Sequence, residues 1–570
     1  MEERKNGGKA VKYRTRLLVF SLVVASLVLA SSCSALGILS GQPKDKWQQL
    51  VEQENEKIGL KPLKLEPYAK EVGGELQEPR YEKFAVNSSF MVAGSVKKTS
   101  GMKSKHVWIE IRKLGGDESP GEKKFSYYTP LKDGSFRQRV QLFAGKGEYQ
   151  VTVRMPSEAT EGYYHDFARF QVVNVNPKLK RDIGWTPAGL EAGLKLTRPK
   201  TGYLRADGIV VLEGSIANSY GSPYIMVVLQ KGSEKWQRVV RLKDGRFEVK
   251  IPLYYGKGTH ELKVMVPIPD RENYYQEGAS LLVNNTSAER REPIKFYKQY
   301  EERGVNLEHP VAGGGKASMK YRIAGSIDPQ APDASRTTHL IVQTKKDGEE
   351  ATYFIPVNNY RFDGEFWLRF GPGEYEVTVN VPEITDERRD YFRFYSVAEF
   401  TVINTAQEDM RYLLPSRGIQ SDAPEIKELA ERLTAGKKSD RSKAKAIYDF
   451  VAKNITYDVQ KYRNDEFALD DSALKTLKQR KGVCQDYSFL AIALLRSIGM
   501  EARFVEGIAD GVRHAWVEVK VDGRWLTMDP TWGSGYLNAN GWFVKRYTPK
   551  YFDPSPAEFR KTHTRTGVMY

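Results

Sequence analysis

The chain has 570 residues, 40% of them apolar before glycine is counted, with 88 Lys and Arg against 72 Asp and Glu. That length suits about three to five domains, and the composition excludes wholesale disorder and collagen-like repeats. Only two cysteines occur, so a disulfide framework and a cysteine-cluster zinc site are excluded as well.

The N-terminus reads MEERKNGGKAVKYRTR and then carries no charge over the 23 residues from Leu17 to Leu39. A basic segment, an apolar run and the small residues Ala30, Ser31 and Ser32 form the pattern of an export signal. Cys33 comes next. This end resembles a bacterial lipobox, with Ala30 where Leu is usual, and the resemblance implies that Cys33 is lipidated. An uncleaved signal anchor, for which the run is long enough, and simple secretion are the alternatives. Each puts residues beyond 33 outside the cytoplasm, on the membrane surface in the first two cases. The net charge of +16 favours anionic partners, and outside the cytoplasm these are lipid or cell wall rather than nucleic acid. Residues 34–80 are expected to be a polar spacer with one helix near KWQQLVEQENEKIG.

Three similar segments follow, at 81–176, 192–286 and 304–406. Each opens with a strand ending in Ala93-Gly94-Ser95-Val96, Glu213-Gly214-Ser215-Ile216 or Ala324-Gly325-Ser326-Ile327. A second apolar strand comes next, then Asp-Gly-x-Phe at Asp133–Phe136, Asp244–Phe247 and Asp363–Phe366, where Asp-Gly predicts a tight hairpin turn. GKGEYQVTVRMP, GKGTHELKVMVP and GPGEYEVTVNVP give a third strand. An aromatic pair (Tyr163-Tyr164, Tyr274-Tyr275, Tyr391-Phe392) precedes the last strand. Alternating strands with turn signals at this spacing predict β-sandwiches that resemble immunoglobulin-like modules. The aromatic pairs are expected to pack and cap a corner, and the repeats to act as spacers.

The pattern changes in 423–570. PEIKELAERL, SKAKAIYDFVAKNI, SALKTLKQ and a run from about Cys484 to Ser497 have helical spacing, and the strands ARFVEGIA, HAWVEVKV and RWLTMDPTW follow. Cys484 then stands at a helix start, where unpaired amides and the macrodipole favour a thiolate. With Asp522-Gly523 as a two-residue turn, His514, Trp516, Asp529 and Thr531 share one face of a hairpin. His514 and Asp529 become diagonal neighbours within side-chain reach. A carboxylate that orients an imidazole beside a thiol is the arrangement of covalent acyl transfer.

GVCQDYS, HAWVEV and MDPTW, in that order, resemble the transglutaminase-like superfamily over roughly 440–535, and Trp532-Gly533 is similar to its kyphoscoliosis peptidase-like branch. The resemblance implies an α+β papain-like core with Cys484 as nucleophile, His514 as base and then acid, and Asp529 as orienter. Tyr457, Gln485 and Trp516 are candidates for oxyanion support or site lining. No cofactor and no metal is implied. The expected function is a cell-surface cysteine acyl-transfer enzyme on protein or peptide amides, wall-linked ones included, hydrolysing rather than cross-linking. A cross-linking transglutaminase and a non-catalytic surface scaffold or adhesin are the alternatives.

Overall fold

The computed structural model describes residues 45–115 and 123–570. Cys33 and the expected export signal lie outside them. Among the described residues no helix is long and apolar enough to cross a membrane.

Each repeat is a β-sandwich, as the alternating pattern predicts. In the first, Gly74–Glu78, Ser89–Val96 and Ser135–Gln141 form one sheet. The facing sheet runs in the order Lys83–Val86, Tyr164–Asn174, Gly147–Pro156, His106–Leu114, Lys124–Pro130. The second repeat has the same layout. Alternate side chains of both sheets fill the core, among them Val92, Ile109, Val151 and Phe170 in the first copy. Burying such side chains is worth roughly 1.5–3 kcal/mol each. Gly94 and Gly214 leave room for the ring opposite them on the neighbouring strand, since an added Cβ would lie 2.5 Å from the Phe136 ring and 2.6 Å from the Phe247 ring.

Two expectations need correction. The stretch expected to be a spacer holds the predicted helix, Lys46–Ile58, but its Gly74–Glu78 strand pairs with Ser89–Val96 as an edge of the first sandwich. The turn of the third repeat is displaced as well. Asp133-Gly134 and Asp244-Gly245 do take positive φ, but Asp363-Gly364 lies within the strand Arg361–Trp367. The third turn is made by Asn359 and Tyr360, with φ of 48° and 61°, so Phe362 lies opposite Gly325, while Phe366 lies opposite Tyr321 of the same strand. The strand before this turn, Glu349–Asn358, pairs on both sides and joins the two layers of the third sandwich.

The aromatic pairs divide their work. Tyr163, Tyr274 and Tyr391 are exposed, while the residue after each is half-buried. Tyr164, for example, packs edge-on against Trp108.

The C-terminal domain is α+β. Pro424–Thr434, Asp440–Asn454 and Ala473–Gln479 surround the helix Cys484–Ser497, which is buried from Asp486 to Arg496. That helix packs on an antiparallel sheet in the order Arg524–Met528, Val512–Val521, Ala502–Ala509, His563–Met569. The segment after Trp532 serves two ends. Gly535–Leu537 and Phe543–Lys545 form a small hairpin with Phe543 beside Tyr457, and His563–Met569 completes the sheet.

Candidate active site

The Asp522-Gly523 turn pairs Val521 with Arg524 and Val517 with Met528, the register read from the sequence. The ladder then ends. Asp529 caps a short helix, Pro530–Ser534, instead of continuing the strand, so Thr531 does not lie opposite His514 as expected. Proline ends the ladder because it has no N–H to donate. The cap fixes the carboxylate: Asp529 Oδ1 accepts from the Thr531 and Trp532 amides at 2.9 and 3.1 Å.

Oδ2 of Asp529 is thereby turned towards His514, whose Nε2 donates to it at 2.8 Å. The ring's remaining nitrogen, Nδ1, is left for Cys484, the first residue of its helix, which hydrogen-bonds to His514. Cys484, His514 and Asp529, the residues expected as nucleophile, base and orienter, thus come together from three elements. Burial works against a charged His514, but the Asp529 charge and hydrogen bond, aided by Cys484, prevail and raise the imidazole to about 10. Burial likewise opposes charge on Asp529, yet His514 and then His563 hold its carboxyl below the usual range. Asp529 is fully buried and Cys484 half-buried, so solvent reaches Cys484 and not the carboxylate.

His563 is the site residue the sequence did not announce. It is fully buried, and its Nε2 lies 3.3 Å from Asp529 Oδ2. Phe559 stacks on its ring at 3.9 Å, with Trp532 and Trp516 against its edges. His514, Asp529 and His563 each offer a metal-ligand atom, all within 4.8 Å of one another. A cation bound there would replace the hydrogen bonds that set the imidazole tautomer.

The other expected residues lie around this centre. Tyr457 is close enough for the Cys484 charge to act on its hydroxyl, and burial first and that charge second push the phenol well up. Gln485 keeps Nε2 buried without a protein acceptor one residue from the nucleophile. Trp516 lies 6.2 Å from the His514 ring, and its indole N–H is also unpaired. At the helix start Asp486 accepts from the Val483 amide at 2.7 Å and pairs with Lys461 at 2.8 Å. The third repeat borders the centre: its Asp390 pairs with Arg513, next to His514, and its Arg388 with Glu466.

Comparison with known proteins agrees with this core. Residues 427–530 match the transglutaminase-like superfamily. The uncharacterized protein YebA of Bacillus subtilis is 28% identical over 187 residues, covering 28% of this chain and 24% of YebA. Kyphoscoliosis peptidase of Mus musculus is 29% identical over 154 residues, covering 24% of this chain and 23% of that one. The chain thus spans about a quarter of the length of these curated relatives. A solved structure of a TGase matches 30% of this chain and 48% of its own at 22% identity and a TM-score of 0.19. On the family match over 427–530, the C-terminal domain carries a transglutaminase-like core with a cysteine-type centre.

Proposed function

We propose that the protein is a cell-surface cysteine acyl-transfer enzyme that acts on protein or peptide amides and passes the acyl group to water. The observation that carries this is the 2.8 Å bond from His514 Nε2 to Asp529, which leaves Nδ1 for the Cys484 thiol. Cys484 Sγ attacks the amide carbonyl and its proton rests on His514. The tetrahedral intermediate collapses, the C–N bond breaks, and His514 gives that proton to the departing amine. The thioester left on Cys484 is then cleaved by water, deprotonated by His514, to release the acid and the thiol. Backbone amides at the start of the Cys484–Ser497 helix, with the unpaired Gln485 Nε2, are the donors available to the oxyanion.

An amine in place of water would make the same centre a cross-linking enzyme. Hydrolysis is favoured by the half-open setting of Cys484, which admits water to the thioester. The basic and apolar pattern of the N-terminus supports a reaction outside the cytoplasm, with Cys33 lipidation or an uncleaved anchor as the means of holding the chain at the membrane. The basic charge and the three sandwiches suit substrates linked to an anionic wall.

The test incubates the full chain with a casein and a wall-peptide library and follows new amino termini, ammonia release and incorporation of a fluorescent amine. New termini that disappear in Cys484→Ala support the hydrolase. Amine incorporation without new termini favours cross-linking. Neither activity, together with an unreactive Cys484, returns the chain to the scaffold class.

A further inference from the structure

Where the third repeat meets the C-terminal domain, two arginines are buried side by side. Arg369 is 0% exposed and Arg496 4% exposed. Arg369 donates to the Leu414 and Pro415 carbonyls, both at 2.6 Å. Arg496 donates to the Leu414 carbonyl at 2.7 Å and to that of Ala502 at 2.9 Å. Three donor nitrogens remain without a protein acceptor: Arg369 Nε and Nη1, and Arg496 Nη2. The buried hydroxyls of Tyr353 and Thr344 lie in reach of each other, and that of Tyr353 in reach of Arg369, but neither makes a hydrogen bond of ordinary geometry. These groups are neighbours, since the Arg369 guanidinium lies over the Tyr353 ring at 5.7 Å and the Tyr353 hydroxyl adjoins both Thr344 and Arg369.

Among the described residues no carboxylate pairs with either guanidinium group. Asp409, the acidic group whose charge reaches Arg369, is engaged by Arg411 at 2.7 Å. Arg496 feels Arg369 itself and two tyrosines. Guanidinium cannot shed its proton as a buried lysine can. A buried charge without a counter-charge is costly, and each unpaired buried donor adds to that cost. Burial first, and for Arg496 the Arg369 charge second, lower both guanidinium groups from their ordinary values.

The repeats show that this polarity is particular to one copy. The Leu-x-x-Gly turn reads Leu142-Phe143-Ala144-Gly145, Leu253-Tyr254-Tyr255-Gly256 and Leu368-Arg369-Phe370-Gly371. In all three the glycine carbonyl accepts from an equivalent asparagine: Asn174, Asn285 and Asn404. Arg369 therefore stands where the other copies bury Phe143 and Tyr254. Likewise Thr344 pairs with Val377 as Ile111 pairs with Val151 and Leu229 with Leu262. A core position that is aromatic in the other copies carries a guanidinium here and an aliphatic one carries a hydroxyl, in the sandwich that touches the C-terminal domain at Arg496.

We propose that Arg369, Arg496, Tyr353 and Thr344 form a buried site for one chloride ion at this junction. The enclosing core suits a single-atom anion better than an oxyanion such as sulfate. Arg496 sits in the last turn of the helix that begins at Cys484, so the ion would tie the third repeat to the far end of the nucleophile's helix.

The test compares thermal unfolding of the full chain in sodium chloride, bromide, sulfate and gluconate at equal ionic strength, and seeks an anomalous peak from bromide in crystals. Chloride and bromide should raise Tm by several degrees over gluconate, while sulfate, which strengthens apolar burial in any protein, gauges the general salt effect. Thr344→Val and Arg369→Phe, which restore the apolar character of the sister copies, should abolish that difference. A bromide peak between the two guanidinium groups is expected even if Arg369→Phe does not fold. Equal Tm in chloride, bromide and gluconate, or crystals with no bromide peak at this junction, would overturn the assignment.

Discussion

Asp529→Asn changes one atom of the buried centre, and neither orientation of the new amide satisfies the groups around it. Oδ1 of the carboxylate accepts from two backbone N–H groups and Oδ2 from His514. An asparagine has one oxygen to place. Kept on the amide side, it turns its NH2 towards His514, forcing Nε2 to become an acceptor and Nδ1 to carry the proton that faces Cys484. Placed on the His514 side, it sets an NH2 against the Thr531 and Trp532 amides, leaving buried donors unpaired at a cost of about 1–3 kcal/mol. Either way the counter-charge is lost. Asp529 supplies the largest of the effects that raise His514 from 6.5 to about 10. Returning half of that rise would be worth about 2 kcal/mol at 1.36 kcal/mol per unit. In a chain carrying Cys33→Ser, Cys484 is the only thiol, and its iodoacetamide alkylation can be followed from pH 5 to 10. At pH 6 the rate in Asp529→Asn should fall by at least about tenfold, with far-UV circular dichroism unchanged. Superimposable rate–pH profiles for the two proteins would refute the assignment of Asp529 as the group that holds His514 charged.

Three further outcomes are expected. His563→Phe removes a hydrogen bond to a buried carboxylate and should cost about 1.5–3 kcal/mol in urea unfolding; because the 2.8 Å bond from His514 remains, alkylation at pH 6 should stay within about threefold. Gly507→Ala places a Cβ 2.3 Å from the Thr564 carbonyl oxygen and 2.4 Å from the Trp516 ring, so it should lower stability by about 1–3 kcal/mol by overpacking and slow alkylation by displacing Trp516 beside His514. The His514–Asp529 pair also gives stability a defined pH dependence. The raised imidazole contributes fully below 6.5 and loses its contribution as pH rises towards about 10, while the lowered carboxyl contributes above 3.8 and loses it as pH falls. The difference in urea midpoint between the parent and His514→Gln should therefore be greatest between about pH 4 and 6.5 and shrink by pH 10.

The centre was legible where local rules decide geometry. A two-residue Asp-Gly turn fixes register, and register fixes the shared face of His514 and Asp529. It was not legible where one residue obeys two rules. Asp529 continues the alternation of its strand but is followed by proline, and capping prevailed. His563 stands 34 residues beyond Asp529 on a strand that joins the opposite edge of the sheet, with no motif around it. Only the pairing of Ala509 with His563 brings it home. In the third repeat the dipeptide Asp363-Gly364 imitated a turn signal, while Asn359, another residue that tolerates positive φ, supplied the actual turn.

The same third repeat packs on the C-terminal domain as part of one unit. Arg417 lies between the Phe354 and Phe392 rings, and Asp390 and Arg388 reach Arg513 and Glu466. Phe370, beside Arg369, meets the Tyr570 ring at 5.3 Å. Tyr570 directly follows the strand His563–Met569 that supplies His563. A defect in the sandwich should therefore be felt at the thiol. Phe370 is 4% exposed, and Phe370→Ala should cost about 3–5 kcal/mol. If sandwich and catalytic core unfold together, the temperature at which Cys484 loses its native alkylation rate falls in this variant. It should not move in Phe143→Ala, a comparable core truncation in the first repeat. A Cys484 transition unmoved by Phe370→Ala would show that the two units fold independently and that the contacts at Arg513 and Glu466 carry no stability between them.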